Sequence, residues 1–436
     1  MKRQSFTLQM KFSILYFIFC LLCLFEFLLI TWLRNFAGPI NSPVYLIFTS
    51  ILLAVTYYLL KSNNQIKIFP DGKNKFPRSA FFVQLLFFLI ISILLFIRLY
   101  AIIHDYPINI SDSTVSDIIP QTEILANRFI DGDKVYAPIE FTGYTLFPTY
   151  MPFQWMPYLI CEWLHIDYRW MSALFLWLCS LYFFLRFRKN DQPVYRSVFI
   201  SCWPLLIWYF LLLYDKVPFT FTLESLIAAF YLFAGINLSS SGKILKPLSF
   251  LFCLLSRYAI VLWMPLYFFI GLITKNYRKL ILTACILIAG FILFYWLPFM
   301  RSDNQIFING YNYHTTAAIG EWSHMNEKNQ PVHVFNGLGL ASWGYKFLPQ
   351  SDVSDRLQSW QRIHLFVSLG VIILTGLIYY LKRQTISVKP YLIMSLKIYL
   401  VVFYVFIQIP YNYLFFTPLI FTAVLIGDLF SAGSQR

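Results

Sequence analysis

Along this chain apolar residues come in long blocks instead of alternating with polar ones. Ten blocks stand out, at residues 12–33, 44–60, 80–103, 170–185, 197–214, 217–236, 280–299, 364–381, 391–409 and 411–428. Crossing about 30 Å of hydrocarbon takes roughly 20 apolar residues. In lipid every backbone polar group must be satisfied within the protein, which favours helices for runs of this kind. The pattern therefore predicts an all-α polytopic membrane protein with about ten transmembrane helices. The first block follows Lys2, Arg3 and Lys11, is too long for a signal-peptide core and has no small-residue cleavage site after it, so it is expected to remain as an anchor.

Residues 247–273 do not fit a simple crossing, because basic loops flank them on both sides. They are too few to span twice. A re-entrant pair of half-helices, broken near Ser256-Arg257-Tyr258, reconciles the count, and a broken helix at depth implies a cavity around it.

The polar residues between the blocks sort by charge. One set of loops carries Lys61, Lys67, Lys73, Lys75 and Arg78, then Arg186, Arg188, Lys189 and Arg196, then Lys243 and Lys246, then Lys275, Arg278 and Lys279, then Lys382, Arg383 and Lys389. The alternate set contains two long loops, residues 104–169 and 300–363. The first of these holds nine acidic residues (Asp105, Asp112, Asp117, Glu123, Asp131, Asp133, Glu140, Glu162 and Asp167) against Arg128, Lys134 and Arg169. The positive-inside bias then places both termini in the cytoplasm and both long loops outside a cell's inner (plasma) membrane. Five parts follow: N-terminal helices (1–103), a first outer loop (104–169), a helical core with the re-entrant pair (170–299), a second outer loop (300–363) and C-terminal helices (364–436).

Composition agrees with this reading: 59% of residues are hydrophobic, 12% are charged and the mean hydropathy is +0.63. Soluble domains carry about twice that share of charge. A net charge of +14 could suggest nucleic acid, but the cations are scattered over short loops without forming one face, so no nucleic-acid partner is expected. Six of the seven cysteines sit in apolar runs, and no spacing of Cys and His suits a metal. No phosphate-cradling glycine motif and no nucleophile elbow occurs. Neither a metal nor a cofactor is called for.

Candidate chemistry concentrates in the first outer loop. Residues 117–129 form an amphipathic helix pattern that Asp117 or Ser116 is suited to cap, with Ile118, Ile119, Leu125 and Phe129 on a face expected to meet the membrane. A turn at Asp131-Gly132-Asp133 leads to an extended piece at Tyr136, and residues 147–158 return toward the bilayer rich in proline and aromatics. This order of parts resembles the GT-C superfamily of integral-membrane glycosyltransferases. The likeness is to the polyprenyl-phosphate-sugar-dependent mannosyltransferases of glycosyltransferase family 87, and it rests on Asp117, Gly132, Tyr136 and the Pro148–Pro157 run. Ser256-Arg257-Tyr258 is similar to a family segment that usually reads Lys-Pro; it keeps a cation and lacks the proline. An N-terminal hairpin, residues 12–60, precedes the helix that comes first in the simplest members.

The resemblance implies a sugar, a hexose such as mannose, moved from a polyprenyl-phosphate donor to a hydroxyl of a glycan or glycolipid acceptor at the outer face, without metal. Asp117 would be the general base, with Asp112 as the other candidate, and Arg257 would hold the donor phosphate. Tyr136, Tyr150, Trp155, His314, His333 and Asn336 are the candidate substrate-binding residues, since aromatics with His and Asn suit stacking on a sugar. Each has a plainer reading. Asp117 would serve as a helix cap, Arg257 would pair with Glu224 or snorkel to headgroups, and the aromatics would be interface anchors or loop packing. Glu26, in the first block, has no evident cationic partner in the sequence.

Two other classes of function remain open. A lipid or solute transporter would also be basic and polytopic with a broken helix, although no internal repeat relates the two halves. A polymerase or ligase of lipid-linked glycans would lean on Arg301, Arg356 and Arg362 with His314 or His333.

Overall fold

The structure is a computed structural model, and it describes residues 2–63, 78–108, 116–141, 143–188, 194–240 and 242–431. Almost every element is a helix. Among the described residues the only sheet is a two-stranded hairpin, β1 (Ile139–Phe141) with β2 (Tyr144–Leu146), in the first long loop. The main helices, in chain order, are α1 (Lys2–Leu28), α2 (Asn41–Asn63), α3 (Arg78–Asp105), α4 (Ile118–Asp131), α5 (Tyr168–Phe187), α6 (Trp203–Tyr214) and α7 (Glu224–Ser239). They continue as α8 (Leu245–Ser256), α9 (Met264–Ile273), α10 (Tyr277–Phe291), α11 (Ile306–Ser323), α12 (Val353–Lys382), α13 (Val388–Val405) and α14 (Phe416–Ser431).

Seven stretches among the described residues are long and apolar enough to cross a bilayer: Ile14–Lys61, Phe81–Asp105, Tyr168–Phe187, Tyr277–Met300, Val353–Lys382, Val388–Val405 and Asn412–Phe430. The chain is thus an all-α polytopic membrane protein. The remaining blocks of the sequence are shorter and interrupted. Residues 197–214 break at Cys202, just before Pro204 opens α6, and residues 217–236 divide into a turn of helix at Val217–Thr220 and α7. Helix α14 begins at Phe416, after a 3-10 turn at Asn412–Phe415, so Tyr411 and Tyr413 lie outside it.

Helix α3 shows how such helices satisfy two environments. Phe88, Leu95 and Leu99 recur at helical spacing and are fully buried against neighbouring helices, while Phe82, Leu86, Ile93 and Ile97 on the other side are more than half exposed. A helix apolar all round needs protein on one side and lipid on the other. At the centre, α7 is buried along nearly its whole length against α5, α8 and α14. Gly235 permits this approach, because a Cβ there would lie 2.7 Å from the Val424 side chain on α14.

The hairpin α1–α2 is joined to the core by charge as well as by packing. Lys397 of α13 reaches Glu26 of α1 at 2.6 Å, and both are essentially inaccessible to solvent. Its ammonium also donates to the Pro418 carbonyl (2.9 Å) and the Thr422 hydroxyl (2.7 Å), and Thr422 donates to the other Glu26 oxygen (2.6 Å). Glu26, unpaired as far as the local sequence shows, therefore has a cationic partner 371 positions away.

The two ends of the bundle differ in charge. At one end the start of α2 meets the second long loop, through Asn41 on the Gly337 carbonyl and Ser42 on the Gly339 carbonyl. Gly339 has φ +76 and sits where a Cβ would fall 2.2 Å from Pro410, so only glycine lets the loop lie this close. At the opposite end Lys246 lies near Lys279 and Lys389. These are called the acidic and the basic end below.

A candidate functional site at the acidic end

The site begins with a broken helix. Helix α8 runs in from the basic end and stops at Arg257, whose backbone is extended (φ −150, ψ 118). A 3-10 turn, Tyr258–Leu262, reverses the chain, and α9 returns with Trp263 and Tyr267 against Phe250 of α8, ring centroids 5.9 and 5.0 Å apart. The reversal leaves Arg257 at the tip of a hairpin of half-helices.

The Arg257 guanidinium makes a bidentate pair with Glu224 at the first residue of α7, at 2.7 and 2.8 Å. Glu224 also accepts from Thr417 (3.0 Å), and Arg257 reaches the Tyr404 hydroxyl at 3.4 Å. A guanidinium carries five N–H bonds. Three are engaged here, which leaves two without a protein acceptor among the described residues on a side chain that is 19% exposed.

The first long loop brings Asp117 to the same region. Asp117 occupies the N-cap position of α4, but its carboxylate makes no capping hydrogen bond; Ser116 accepts weakly from the Ile118 N–H (3.4 Å) instead, and its hydroxyl donates to the Phe221 carbonyl. The Asp117 carboxylate is thereby left for other partners and accepts from the Tyr144 hydroxyl of β2 at 3.3 Å. Burial pushes this carboxyl above its usual range and the nearby Glu321 charge adds to the effect, while Tyr144 and Asp117's own N–H oppose it. Tyr150 lies within electrostatic reach of Asp117, Arg257 and Glu224, and so does Tyr413. One polar cluster thus contains the acid, the cation and two phenols.

The second long loop completes the wall. On α11, Glu321 accepts from His333 Nδ1 at 2.6 Å and from the Tyr411 hydroxyl at 3.0 Å. Burial disfavours its charge, yet the His333 hydrogen bond and charge hold it below the usual carboxylate range. The same bond raises His333 above 6.5, against desolvation. Tyr411 stacks on Tyr413 at 5.4 Å, which connects this pair to the cluster around Arg257.

The other residues singled out from the sequence fall elsewhere. Asp112 lies outside the described residues. Tyr136 and Trp155 are core residues, 2% and 0% exposed; the Tyr136 hydroxyl donates to the Tyr150 carbonyl (2.9 Å) and accepts from the Trp155 indole (3.3 Å), so together they hold Tyr150 in place from behind. Leu125 and Ile119, expected to meet lipid, are buried in protein instead, with Leu125 packed in the cluster around Tyr136 and Trp155. His314 is exposed on α11. Asn336 is a clamp, donating to the Pro410 carbonyl and accepting from the Leu338 N–H. Arg356 is committed to the carbonyls of Gln350 and Tyr345.

Glu321, Tyr404, Tyr411 and Tyr413 join this cluster without a signal in the sequence that marks them, whereas Glu224 is the partner that the plainer reading of Arg257 names, and the two are paired. Tyr411 and Tyr413 belong to an apolar block in the sequence, although Pro410 between them and α13 marks a break. Fold and site together define a helical, polytopic membrane protein with a polar cluster of paired carboxylates, phenols and one partly used arginine at one end. No protein-family model, no curated protein and no solved structure matches the chain.

Proposed function

We propose that the protein is a metal-independent membrane glycosyltransferase of GT-C type, moving a hexose from a polyprenyl-phosphate donor to a hydroxyl of a glycan or glycolipid acceptor. In this reading the acidic end faces outward from the plasma membrane and both termini are cytoplasmic. Asp117 takes the proton of the acceptor hydroxyl as its oxygen bonds to the anomeric carbon. The bond from that carbon to the phosphate oxygen breaks, and the electron pair leaves with the polyprenyl phosphate. Arg257 meets that charge with its two remaining N–H bonds, which strengthen as the charge develops. Tyr150 and Tyr413, within electrostatic reach of both groups, would contact the sugar.

The observation that carries this reading is the shared neighbourhood of Asp117 and Arg257: Tyr150 and Tyr413 are each within electrostatic reach of both. An Asp with a raised pKa is also a stronger base at neutral pH, and a positioned base contributes about 10² to 10⁴ in rate. The test is Asp117→Asn in the full-length protein, in lipid nanodiscs with a polyprenyl-phosphate hexose and glycolipid acceptors. Folding, followed by thermal melting, is expected to hold, and transfer is expected to fall by about 10² or more. Near-normal turnover in the Asn variant would overturn the assignment of the base.

A further inference from the structure

The opposite end of the bundle holds a recess of a different character, of about 470 Å³, lined by Lys243, Lys275, Asn276, Tyr277, Arg278, Lys279 and Leu282. It opens where α9 ends and α10 begins. None of the ion pairs among the described residues includes Lys243, Lys275, Arg278 or Lys279. The one described carboxylate known to lie among cations at this end, Asp428, is near Lys389 and Arg186, which do not line the recess.

Three features oppose leaving such a recess without an anion. Arg278 and Lys279 stand in the first turn of α10, which has no acidic residue, so the positive end of the helix dipole adds to their repulsion. Lys246, at the start of α8, lies near Lys279 and adds a further like charge. Lys275 is one of three described non-glycine residues with positive φ (57), a conformation that strains a side chain of this kind. It closes α9 by donating to the Leu272 carbonyl, a position where glycine is the usual occupant.

The recess is also bordered by lipid-suited surface. Tyr277 of its lining is more than half exposed, and so are Ile244, Leu272 and Ile281 on the segments that supply the lining. A small soluble anion has no use for that apolar rim, whereas a phospholipid uses both parts.

We propose that this recess binds the phosphate headgroup of an anionic phospholipid from the leaflet at the basic end. Lys275, Arg278 and Lys279 contact the phosphate and the acyl chains run along Leu272 and Ile281. The site is separate from the acidic-end cluster and stands whether or not that cluster transfers sugar.

The experiment uses the full chain in phosphatidylcholine nanodiscs doped with phosphatidylglycerol, reading lipid retention by native mass spectrometry. Arg278→Gln with Lys279→Gln is expected to lower phosphatidylglycerol retention by about fivefold for each cation removed. Lys275→Gly guards against misfolding, because glycine suits φ 57 and should keep or raise the melting temperature while retention still drops about fivefold. Lys382→Gln with Arg383→Gln, on the same end but outside the recess, should leave retention unchanged. Equal losses in that control, or wild-type retention in the recess variants, would overturn the proposal. A melting shift caused by inorganic pyrophosphate and not by phosphatidylglycerol would overturn the choice of a lipid.

Discussion

Two of the carboxylate–cation pairs described inside this bundle, Glu26–Lys397 and Glu224–Arg257, are completed in opposite ways. In Glu26–Lys397 the ammonium has three donors and three acceptors, both carboxylate oxygens are bonded, and neither side chain reaches solvent. In Glu224–Arg257 the carboxylate is just as enclosed, but the guanidinium keeps two N–H bonds unused and a 19% exposed edge beside the tyrosines that border Asp117. A closed network fixes the geometry of the helices that supply it. An open one leaves donors that, in the proposed reading, meet an anion from outside the chain. In that reading the same ionic pairing is a fastener in one place and a binding group in the other, and what distinguishes them is the count of satisfied donors.

The largest expected effect falls on the closed pair. Lys397→Met leaves Glu26 buried without a counter-charge and should cost about 3–5 kcal/mol, seen as a fall in melting temperature and loosening of the α1–α2 hairpin. Adding Glu26→Leu should recover most of that stability, since no uncompensated charge remains. A single variant as stable as the wild type would break the distinction drawn here.

A smaller effect is expected at the open pair when charge is kept but the fork is lost. Arg257→Lys should retain part of the affinity for polyprenyl phosphate, because a point charge still attracts the anion, whereas Arg257→Met should lose about 1.5–3 kcal/mol of it. Equal affinity in both variants, measured by thermal shift with added polyprenyl phosphate, would remove Arg257 from the site.

The smallest effect concerns pH. His333 titrates above 6.5 because of Glu321, and Glu321 titrates below its ordinary value because of His333. The His333 contribution is complete below 6.5 and is lost as pH rises through its elevated value. The Glu321 contribution is complete above 4.5 and is lost as pH falls through its depressed value. Hydrogen exchange of the 321–336 segment should be slowest between pH 4.5 and 6.5 and quicken toward pH 8, beyond the intrinsic rate. His333→Gln should remove that extra dependence. A profile unchanged by the substitution would mean the pair does not hold the loop.

Much of the fold was legible in the sequence, because the property that selects it, apolar length, is local. Eight of the ten blocks overlap the seven long apolar stretches among the described residues, with two blocks sharing Ile14–Lys61. The break at Ser256-Arg257-Tyr258 was legible as well, since a cation in an apolar run needs a reason. Lys397 carries the same signal inside a longer apolar block, but its partner lies 371 positions away, beyond the reach of any window. The site was only partly legible. Asp117 stands out through the family resemblance and Arg257 as a cation in an apolar run, but Tyr136 and Trp155 look identical in sequence to aromatics that line a cavity, and only packing shows that they support Tyr150 from the core. Glu321 was one acid among loop residues until Tyr411 and His333 were folded against it.

The most direct test of the central claim, that Arg257 is a binding group and not a fastener, is the double variant Arg257→Met with Glu224→Gln, assayed for hexose transfer from a polyprenyl-phosphate donor alongside its melting temperature. Removing both charges leaves no buried ion unpaired, so the protein is expected to fold. It is expected to remain inactive, because the leaving phosphate has lost its cation. Transfer restored to near the wild-type rate would show that Arg257 serves only to neutralise Glu224, and the account of the open pair would be wrong.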